Sequence, residues 1–256
     1  MITEIQFEQG PVKIDLSKPL NISIPLRAGP KNVNAWYVEP VRIAAVRTEN
    51  FIGSVSEGGS VNFRDIAFNP HGNGTHTECV GHIAEEVFNV NDCFDRYFFK
   101  ALLVSIAPQK NGRTSEWETA EDLVITKEQI KRSIGEQKPE AVIIRTTPND
   151  PTKRDQQYSN SNPPYVQANV MAWLRDIGVQ HFLIDLPSVD RELDGGKMLA
   201  HRAWWNFPKA PRMKSTITEL IFVPNEIPDG QCIIEMQMAS FVNDASPSKP
   251  VLYQLL

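Results

Sequence analysis

The sequence predicts an α/β protein with a mixed sheet, folded as a single domain over residues 1–256. The main observation is a parallel crossover unit, in which apolar residues 141–144 and 182–184 are strands and residues 166–177 have helical spacing. Short apolar patches that alternate with turns before and after this unit predict further strands. Because no repeat, low-complexity segment or linker divides the chain, we expect one domain.

The N-terminal part of the chain predicts a series of short strands. Period-two alternation over residues 12–16 and 21–26 predicts two strands. Residues 34–46 end in an apolar run and predict a strand pair. Residues 51–63 contain three glycines and predict a hairpin that leads into the stretch richest in histidine.

The middle of the chain predicts one strong strand and one capped helix. Apolar residues 101–106 predict a buried strand. Thr126 predicts the N-cap of a helix over residues 127–134, because Gln129 stands at the capping-box position. Residues 147–164 are rich in Pro, Asn, Asp and Ser and predict a long surface loop. Loops of this length are usually functional or mobile.

The C-terminal third predicts the end of the crossover helix and further strands. Gly178 is placed to end the helix that begins at residue 166. Residues 216–223 predict a strand with one acid at its centre. Residues 232–255 alternate as two final strands, with residues 244–250 as the connection between them.

Composition and charge argue against several function classes. The formal net charge of −5 and the lack of a basic block argue against a nucleic-acid partner, since phosphate binding needs a basic surface. No apolar run approaches the ~18 residues of a membrane span, so we expect no membrane partner. Three widely spaced cysteines and an N-terminus without signal-peptide features predict a cytoplasmic protein with reduced thiols.

Residues 68–83 are the stretch most informative about function. They contain three of the chain's five histidines, His71, His76 and His82, with an acid, Glu78, between the last two. Imidazole and carboxylate groups together are a ligand set for zinc, manganese or iron(II). The stretch therefore predicts a metal site, and the alternative is a solvated loop that merely carries histidines.

These residues resemble the signature of a known family. The run Gly74 to His76, followed by Glu78 and His82, resembles the pattern H-x-G-T-H-x-D-x-P-x-H of the metal-dependent cyclase family, whose best-known member is bacterial kynurenine formamidase. Residues 15–20 resemble the family's D-L-S-x-P-L motif, and residues 184–190 resemble its I-D-T-P-S-x-D stretch. The resemblance is specific, because these motifs follow in the expected order over most of the chain.

The resemblance implies a swivelling β/β/α fold and a metal-dependent hydrolase. Family members cleave amides or related bonds of small molecules, often aromatic ones, with one or two divalent ions, and usually form dimers or tetramers. We therefore expect a homodimer or homotetramer that holds zinc or manganese and cleaves a C–N bond of a small amide or cyclic amide. Neutral water is a poor nucleophile, but a bound cation lowers its pKa from about 15.7 to about 7 and makes hydroxide available.

Positions in the family motifs imply a role for each site residue. His76 and Glu78 correspond to metal ligands, with Glu78 bridging two ions, and His82 corresponds to the catalytic histidine. His201 and Glu219 correspond to the ligands of the second ion. A buried acid within an apolar strand is costly without a partner, and for Glu219 a metal ion or an arginine would meet that need. His82 could instead be a ligand or a structural hydrogen-bonding residue, and His201 could instead lie at the surface.

Two departures from the family pattern concern the first metal position. Gly72 stands where the family has its first histidine, and His71 lies one residue earlier. Either a bulge at Gly72 brings His71 to the ion, or the ion lacks one ligand. We favour the bulge, because glycine accepts unusual backbone angles. In addition, Glu78 replaces the family's aspartate, which places its carboxylate one methylene further from the backbone, and Val80 replaces a proline.

Nearby aromatic and acidic residues complete the candidate site. Trp36 and Trp204 could stack on an aromatic substrate, although packing in the core or at an interface fits each equally well. Asp185 and Asp190 follow a strand end where α/β proteins usually bind ligands, and we expect them to brace the metal ligands by hydrogen bonds. His181 matches no motif position, so we expect it to be structural. The alternative functions are a non-catalytic small-molecule-binding descendant of the family and a biosynthetic cyclase or dehydratase that uses the same metal site.

Overall fold

The computed structural model describes residues 1–8 and 10–256. Strands are the main elements, and these residues contain eighteen of them. They are β1 (Ile2–Phe7), β2 (Gly10–Asp15), β3 (Leu20–Asn21), β4 (Arg42–Ala45), β5 (Arg47–Thr48), β6 (Phe51–Ile52), β7 (Arg64–Ala67), β8 (His76–Glu78), β9 (Phe98–Ile106), β10 (Gln109–Lys110), β11 (Leu123–Ile125), β12 (Ala141–Thr146), β13 (Tyr165–Val166), β14 (His181–Ile184), β15 (Thr216–Glu219), β16 (Gly230–Glu235), β17 (Ala245–Pro247) and β18 (Val251–Gln254).

Helices lie between the strands and are mostly short. The α-helices are α1 (Pro70–Asn73), α2 (Lys127–Ile134), α3 (Ala168–Asp176) and α4 (Leu199–Trp205). The 3₁₀ helices are Val55–Glu57, Val80–His82, Val90–Cys93 and Pro151–Arg154. Within residues 1–8 and 10–256, no helix combines the length and the apolar character that a membrane crossing requires.

Nine strands form one curled mixed sheet, in the order β17-β8-β15-β14-β12-β9-β16-β18-β3. The centre of the sheet is parallel, because β12 pairs with β9 and β14, and β14 pairs with β15. Antiparallel strands extend it on both sides. Every residue of β12 is buried, as expected for a parallel strand covered on both faces. The structure thus confirms the predicted α/β fold with a mixed sheet and the parallel crossover from β12 to β14.

The two faces of the sheet carry separate apolar cores. On β12, Val142 and Ile144 belong to the core that includes residues of α2, α3 and α4. Ala141 and Ile143 belong to the core on the opposite face. This alternation follows from the period of two along a strand, and a slip of one residue would move each side chain to the wrong core.

Helix α2 has the boundaries that its capping residues predict. The Thr126 hydroxyl accepts a hydrogen bond from the backbone N–H of Gln129, and the Gln129 side chain accepts one from the backbone N–H of Thr126. These two bonds form the predicted capping box. Ile130 and Ile134 then point into the core, so the helix is held by both local capping and tertiary packing.

The crossover helix α3 begins two residues later than predicted. Tyr165 and Val166 pair in parallel with β11 and form β13, so their backbone groups are used in a sheet rather than in a helix. The helix ends as predicted, because Gly178 has a left-handed φ of 91° and donates its N–H to the carbonyl of Arg175. Tertiary strand pairing therefore overrides the helical spacing at one end only.

The strand predictions for residues 34–63 are partly wrong. Within residues 34–46, the strand is Arg42–Ala45, and it pairs with β7 instead of with a neighbour inside the segment. Trp36 and Tyr37 have left-handed φ angles of 61° and 58°, which a strand does not contain. The hairpin predicted over residues 51–63 is also replaced, because β6 pairs back with β5.

The C-terminal residues form three strands instead of the predicted two. β16 and β18 pair with each other, whereas β17 lies at the opposite edge of the sheet and pairs with β8. Residues 244–250 have the composition of a connection, but pairing with β8 makes a strand of Ala245–Pro247. This pairing places Asp244, the residue before β17, beside the histidine-rich stretch.

Candidate metal centre

Strand β8 is the scaffold of the candidate site, and it lies between β15 and β17. Its residue His76 is directly opposite Glu219 of β15, and Glu78 is opposite Ile217. Because side chains alternate along a strand, His76 and Glu78 lie on the same face as Glu219. The antiparallel register therefore brings Glu219 to the face of His76 and Glu78, although it is far from both in the sequence.

His71 reaches this face from a one-turn helix rather than from a bulge. In α1, the Asn69 side chain accepts hydrogen bonds from the backbone N–H groups of His71 (2.9 Å) and Gly72 (3.1 Å). The bulge predicted at Gly72 is therefore wrong. Glycine is needed there for a different reason, since an added Cβ would lie 2.6 Å from a Val38 methyl and 2.8 Å from the Ala35 carbonyl. The Nδ1 atom of His71 is 3.1 Å from Glu78 Oε2.

The His76 ring is held in one tautomer by the backbone. Its Nδ1 atom donates to the Gly74 carbonyl at 3.0 Å, because a carbonyl oxygen can only accept. In the neutral ring, Nε2 then has a lone pair. That atom is fully buried, lies 3.5 Å from Glu219 Oε2, and has no hydrogen-bond partner among the described residues. A lone pair beside a carboxylate oxygen is repulsive unless a cation or a proton lies between them.

His201 has the same arrangement with a carboxylate behind it. Asp190 accepts from the backbone N–H groups of Ala200 (2.7 Å) and His201 (3.1 Å), which fixes the start of α4. The His201 Nδ1 atom donates to the same carboxylate at 2.6 Å. The Nε2 atom is then 3.1 Å from Glu78 Oε1 and 3.8 Å from Glu219 Oε1. Asp190 therefore braces a candidate ligand, as the sequence predicts.

Glu219 is oriented by the loop that follows β14. Its Oε1 atom accepts the backbone N–H of Val189 at 2.9 Å, and its Oε2 atom faces His76. Its strand neighbours are buried, and no arginine or lysine is within ion-pair distance of it among the described residues. The arginine alternative is therefore not supported by the geometry, and the groups that face Glu219 are imidazoles.

Glu78 lies at the centre of the cluster and is fully buried. Its two oxygens are each 3.1 Å from an imidazole nitrogen, of His201 and of His71. Burial alone would raise the pKa of Glu78, but the charge of His82, a hydrogen bond from His201 and the nearby imidazole of His71 hold it well below its ordinary value. The longer side chain of glutamate thus places the carboxylate between the histidines.

The same contacts set the protonation of two histidines in the absence of a cation. Burial alone would lower the pKa of His71, but Asp244 and Glu78 raise it to about 10. Burial likewise opposes the charge of His201, but Asp190 and Glu78 raise its pKa well above the ordinary value. A divalent cation bound between these groups would compete with protons, and metal binding at such a site releases protons.

The donor set fits a divalent metal ion. Ligand atoms of His71, His76 and Glu78 lie within 4.8 Å of one another, and so do those of Glu78, His82 and His201. The inward atoms are imidazole nitrogens and carboxylate oxygens, which zinc and manganese both accept. The buried Nε2 of His76 and Oε2 of Glu78 have no hydrogen-bond partner among the described residues, and a cation would satisfy both.

His82 lies at the outer side of the cluster. It ends the 3₁₀ helix Val80–His82, and its side chain is 27% exposed, whereas His76 and His201 are buried. Its Nε2 atom is 3.8 Å from Glu78 Oε2, and its ring stacks on His71 at 4.3 Å between centroids. His82 is thus next to the metal-binding face and open to the adjoining cavity.

Asp244 is a site residue that the sequence analysis missed. Its Oδ2 atom is 3.0 Å from Nε2 of His71 and 3.6 Å from Nδ1 of His82. The residue stands in a polar segment that predicts a connection, and the family motifs do not include it. Its one sequence signal is an acid in a polar stretch, which is too common to indicate a site.

A cavity of about 480 Å³ opens onto the cluster. His71, His82, His201 and Glu219 form its polar end. The other lining residues are apolar (Trp36, Val38, Ile83 and Met198), basic (Arg191 and Arg202), acidic (Asp190, Glu192 and Asp194) or neutral polar (Asn69 and Ser188). Trp36, one of the two aromatic residues predicted to contact a substrate, therefore lies at the cavity.

Two predicted site residues lie elsewhere. Trp204 has 0% exposure and packs in the main core against Phe182, so it has no surface with which to contact a substrate. The prediction for Trp204 is wrong, because α4 turns this side chain towards the sheet. Asp185 is also away from the ligands, since its carboxylate accepts from the backbone N–H of Thr146 and from Nζ of Lys153. His181 also contacts none of the candidate ligands, and its Nδ1 atom is 2.8 Å from the Thr216 hydroxyl.

Several solved structures share this fold at low sequence identity. A predicted metal-dependent hydrolase from Bacillus stearothermophilus is 16% identical, with a TM-score of 0.61 over 92% of this chain and 98% of that one. An isatin hydrolase bound to the product analogue thioisatinate is 13% identical, with a TM-score of 0.63 over 93% of both chains. Isatin hydrolase A from Labrenzia aggregata, bound to benzyl benzoate, is 12% identical, with a TM-score of 0.63 over 92% of this chain and 93% of that one. Identities this low show the fold alone.

Sequence comparison identifies the family directly. A search of curated proteins finds no match to the chain. A family model named Cyclase, in contrast, matches residues 14–191, which is more than half of the chain. The matched segment includes β8 with His76 and Glu78, together with Asp190. The chain therefore belongs to the Cyclase family.

Proposed function

We propose that this protein is a metal-dependent hydrolase that cleaves a C–N bond of a small amide or cyclic amide, in the manner of arylformamidases. The observation that carries the proposal is the inward direction of the imidazole lone pairs. His76 and His201 each donate a hydrogen bond through Nδ1, so their Nε2 atoms face Glu219 and Glu78 without a hydrogen of their own in the neutral form. A divalent cation resolves that arrangement.

We propose zinc or manganese as the metal, in one or two ions. His71, His76 and Glu78, whose ligand atoms lie within 4.8 Å of one another, would hold one ion. Glu78, His201 and Glu219 would hold the second, since His201 Nε2 is 3.1 Å from Glu78 Oε1 and 3.8 Å from Glu219 Oε1. Bound there, the metal would supply Lewis acidity, which polarises a carbonyl group and makes water a better nucleophile. Glu78 is central because it approaches ligand atoms of both groups.

His82 is the residue that we propose for proton transfer. It borders the cavity and its Nε2 atom points towards Glu78, so a bound carbonyl group beside the cluster would lie within its reach. Cleavage of an amide requires a proton to leave the attacking water and another to reach the departing nitrogen. Imidazole performs both transfers in many enzymes, and such catalysis contributes about 10²–10⁴-fold to the rate.

The cavity suits a small substrate with an aromatic or apolar part. Its volume of about 480 Å³ is in the usual range for small-molecule sites. Trp36, Val38, Ile83 and Met198 provide apolar surface in its lining. Trp36 and Met198 also have left-handed backbone angles, and such strained residues concentrate at functional sites. Trp36 is therefore the aromatic side chain that we propose for contact with a substrate ring.

We also propose a cytoplasmic homodimer or homotetramer, without a nucleic-acid or membrane partner. The segment from β4 to β7 exposes Val55, Val61, Phe63 and Ile66, each by half or more of its surface. A two-stranded ribbon is only marginally stable alone, and an exposed apolar patch often marks an interface. Three buried free thiols agree with a reducing compartment. Sedimentation velocity of the purified chain tests the oligomeric state, and a monomer would contradict it.

The function is tested with metal-loaded protein and two substrate classes, aryl formamides and cyclic imides. We expect hydrolysis that a strong chelator abolishes and that added zinc or manganese restores. Glu219→Gln should bind less metal and lose activity, whereas the matched control Glu86→Gln, at an exposed loop position, should behave as the wild type. Activity that survives complete removal of the metal would contradict the proposal. A product formed by ring closure or by loss of water would instead identify a cyclase or dehydratase.

A further inference from the structure

Three of the four imidazoles that face Glu78 or Glu219 have a hydrogen-bond acceptor behind them, and the fourth, His82, lies 3.6 Å from Asp244. The Nδ1 atoms of His76 and His201 donate to a carbonyl group and to a carboxylate, respectively. The corresponding rear nitrogen of His71 is Nε2, which is 3.0 Å from Asp244 Oδ2. Since an ionised carboxylate can only accept, Nε2 carries the hydrogen, and in the neutral ring Nδ1 has the lone pair.

The contact behind the ring matters more for the orientation of His71 than for the orientations of His76 and His201. His71 presents Nδ1 to Glu78 at 3.1 Å, whereas His76 and His201 present Nε2. Its side chain is 20% exposed, and theirs are buried. Without Asp244, water could bind either nitrogen, so neither the tautomer nor the direction of the His71 ring would be set.

Asp244 is held in place by its own backbone and by the shape of the opposite loop. Its carbonyl accepts the backbone N–H of Cys79 at 2.9 Å, next to the pairing of β17 with β8. Gly81 makes room for it, because an added Cβ would lie 3.1 Å from Asp244 Cβ and 2.9 Å from the Phe88 carbonyl. The carboxylate thus occupies a position that neighbouring residues define.

We propose that Asp244 is a positioning residue for metal binding, which holds His71 with its Nδ1 lone pair directed towards Glu78. This inference rests on the metal site of the proposed function. Asp244 lies outside residues 14–191, the segment that the family model matches. It supports the histidine that this chain has one residue away from the family position. Removing such a partner of a ligating histidine typically weakens metal affinity by about 10–100-fold.

The test compares metal binding in wild type, Asp244→Ala and Asp244→Asn. We expect the dissociation constant for zinc, measured by competition with a chromogenic chelator, to rise about 10–100-fold in Asp244→Ala. Asp244→Asn should lose less, because its side-chain oxygen still accepts from Nε2 of His71. The visible spectrum of the cobalt(II)-loaded protein should change in Asp244→Ala, since it reports ligand geometry. Asp95→Asn, which changes an exposed acid paired with Lys214, is the control and should leave both readouts unchanged.

A double-mutant cycle separates this role from a general structural one. If Asp244 acts through His71, the variant His71→Ala/Asp244→Ala should bind zinc as tightly as His71→Ala alone. Additive losses in the two single variants would overturn the inference, and so would wild-type zinc affinity in both Asp244 variants. Thermal unfolding of each metal-free variant checks that it is folded. If Asp244→Ala does not fold, the same comparison is made with Asp244→Asn.

The wild-type protein distinguishes a failure of this inference from a failure of the proposed function. If the wild type binds neither zinc nor cobalt(II), both fall. If it binds them tightly and the Asp244 variants bind equally well, the metal site stands and only the role of Asp244 is overturned.

Discussion

Two buried carboxylates have opposite surroundings, that of Asp185 directly after β14 and that of Glu78 in β8. Asp185 accepts from the backbone N–H of Thr146 and from Nζ of Lys153, at 2.9 Å each. Both groups are hydrogen-bond donors at neutral pH, so the Asp185 carboxylate has the donors that its burial requires. Glu78 is surrounded by imidazoles, and those of His71 and His201 each have another carboxylate behind them. These rings satisfy Glu78 only when they carry an extra proton or when a cation replaces it.

The histidines show the same contrast. His181 is buried between the rings of Phe94 and Phe99, and its Nδ1 atom contacts the Thr216 hydroxyl, which can donate or accept. His76 is equally buried, but its free nitrogen faces a carboxylate. Burial therefore does not separate a structural from a functional histidine. What separates them is whether the surrounding groups supply complementary hydrogens.

The largest expected effect comes from Glu78→Gln, which removes the negative charge at the centre of the cluster of histidines and acids. The amide would also bring hydrogens towards His71 or His201. We expect loss of tightly bound metal and a fall in hydrolysis of about 10³-fold or more. Elemental analysis of the purified variant and the hydrolysis assay measure this. Normal metal content would show that Glu78 is not the central ligand.

His82→Asn should separate catalysis from metal holding. Because His82 lies at the outer side of the cluster, we expect the variant to keep its metal. We expect kcat to fall by about 10²–10⁴-fold with little change in KM, since a proton-transfer group is lost. Steady-state kinetics and metal analysis on the same preparation check this. Loss of the metal together with activity would make His82 a ligand.

Asp185→Asn should have the opposite phenotype to Glu78→Gln. Lys153 is 11% exposed, and the substitution would leave its ammonium group buried without a charged partner. We expect the free energy of unfolding to fall by about 3–5 kcal/mol. Metal content should be unchanged, because Asp185 contacts none of the candidate ligands. Denaturant unfolding measures the stability of the variant, and elemental analysis measures its metal content. Loss of metal from Asp185→Asn would contradict the proposed difference between the two carboxylates.

The last effect is a gradual one, a pH dependence of stability at His181, which lies outside the cluster. Burial, with the charges of Arg96 and Arg212, lowers the pKa of His181 from 6.5 to about 3. His181 therefore binds a proton near pH 6.5 in the unfolded state but stays neutral at that pH in the folded state. The associated stability is present above pH 6.5 and is lost as the pH falls towards 3, by up to about 1.4 kcal/mol per pH unit.

The variant His181→Asn isolates this contribution from that of other groups. The wild type should lose stability relative to the variant as the pH falls from 6.5 to 4, measured by denaturant unfolding in matched buffers. A stability difference that stays constant over this range would show that His181 does not titrate as its burial predicts.

Local interactions account for the parts of the fold that were predictable. The capping residues of α2 lie three positions apart, and they give its N-terminus at the predicted residue. In the same way, His71, His76, Glu78 and His82 were recognisable because a short stretch contains them all. For His201 and Glu219 the evidence came from resemblance to a family, and the register of β8 with β15 and the contact with Glu78 account for their convergence in space.

Long-range pairing decided what the sequence analysis missed. Asp244 is 173 positions from His71, and it reaches the site because β17 pairs with β8. No local pattern announces that pairing, and the polar composition indicates a connection instead. The substrate contact predicted for Trp204 fails for a similar reason, since two adjacent tryptophans on a short helix do not reveal which side faces the sheet.

The sequence by itself determined the crossover from β12 to β14, the capped start of α2 and the kinds of candidate ligand in the site, because spacing and residue chemistry are local properties. The tertiary structure alone decided which carboxylate faces which imidazole nitrogen. That choice depends on strand register and on the position of β17 at the sheet edge, which arise when distant segments bury their apolar faces together. Asp185 is surrounded by permanent hydrogen-bond donors and Glu78 by imidazoles, and this difference is visible only in the tertiary structure.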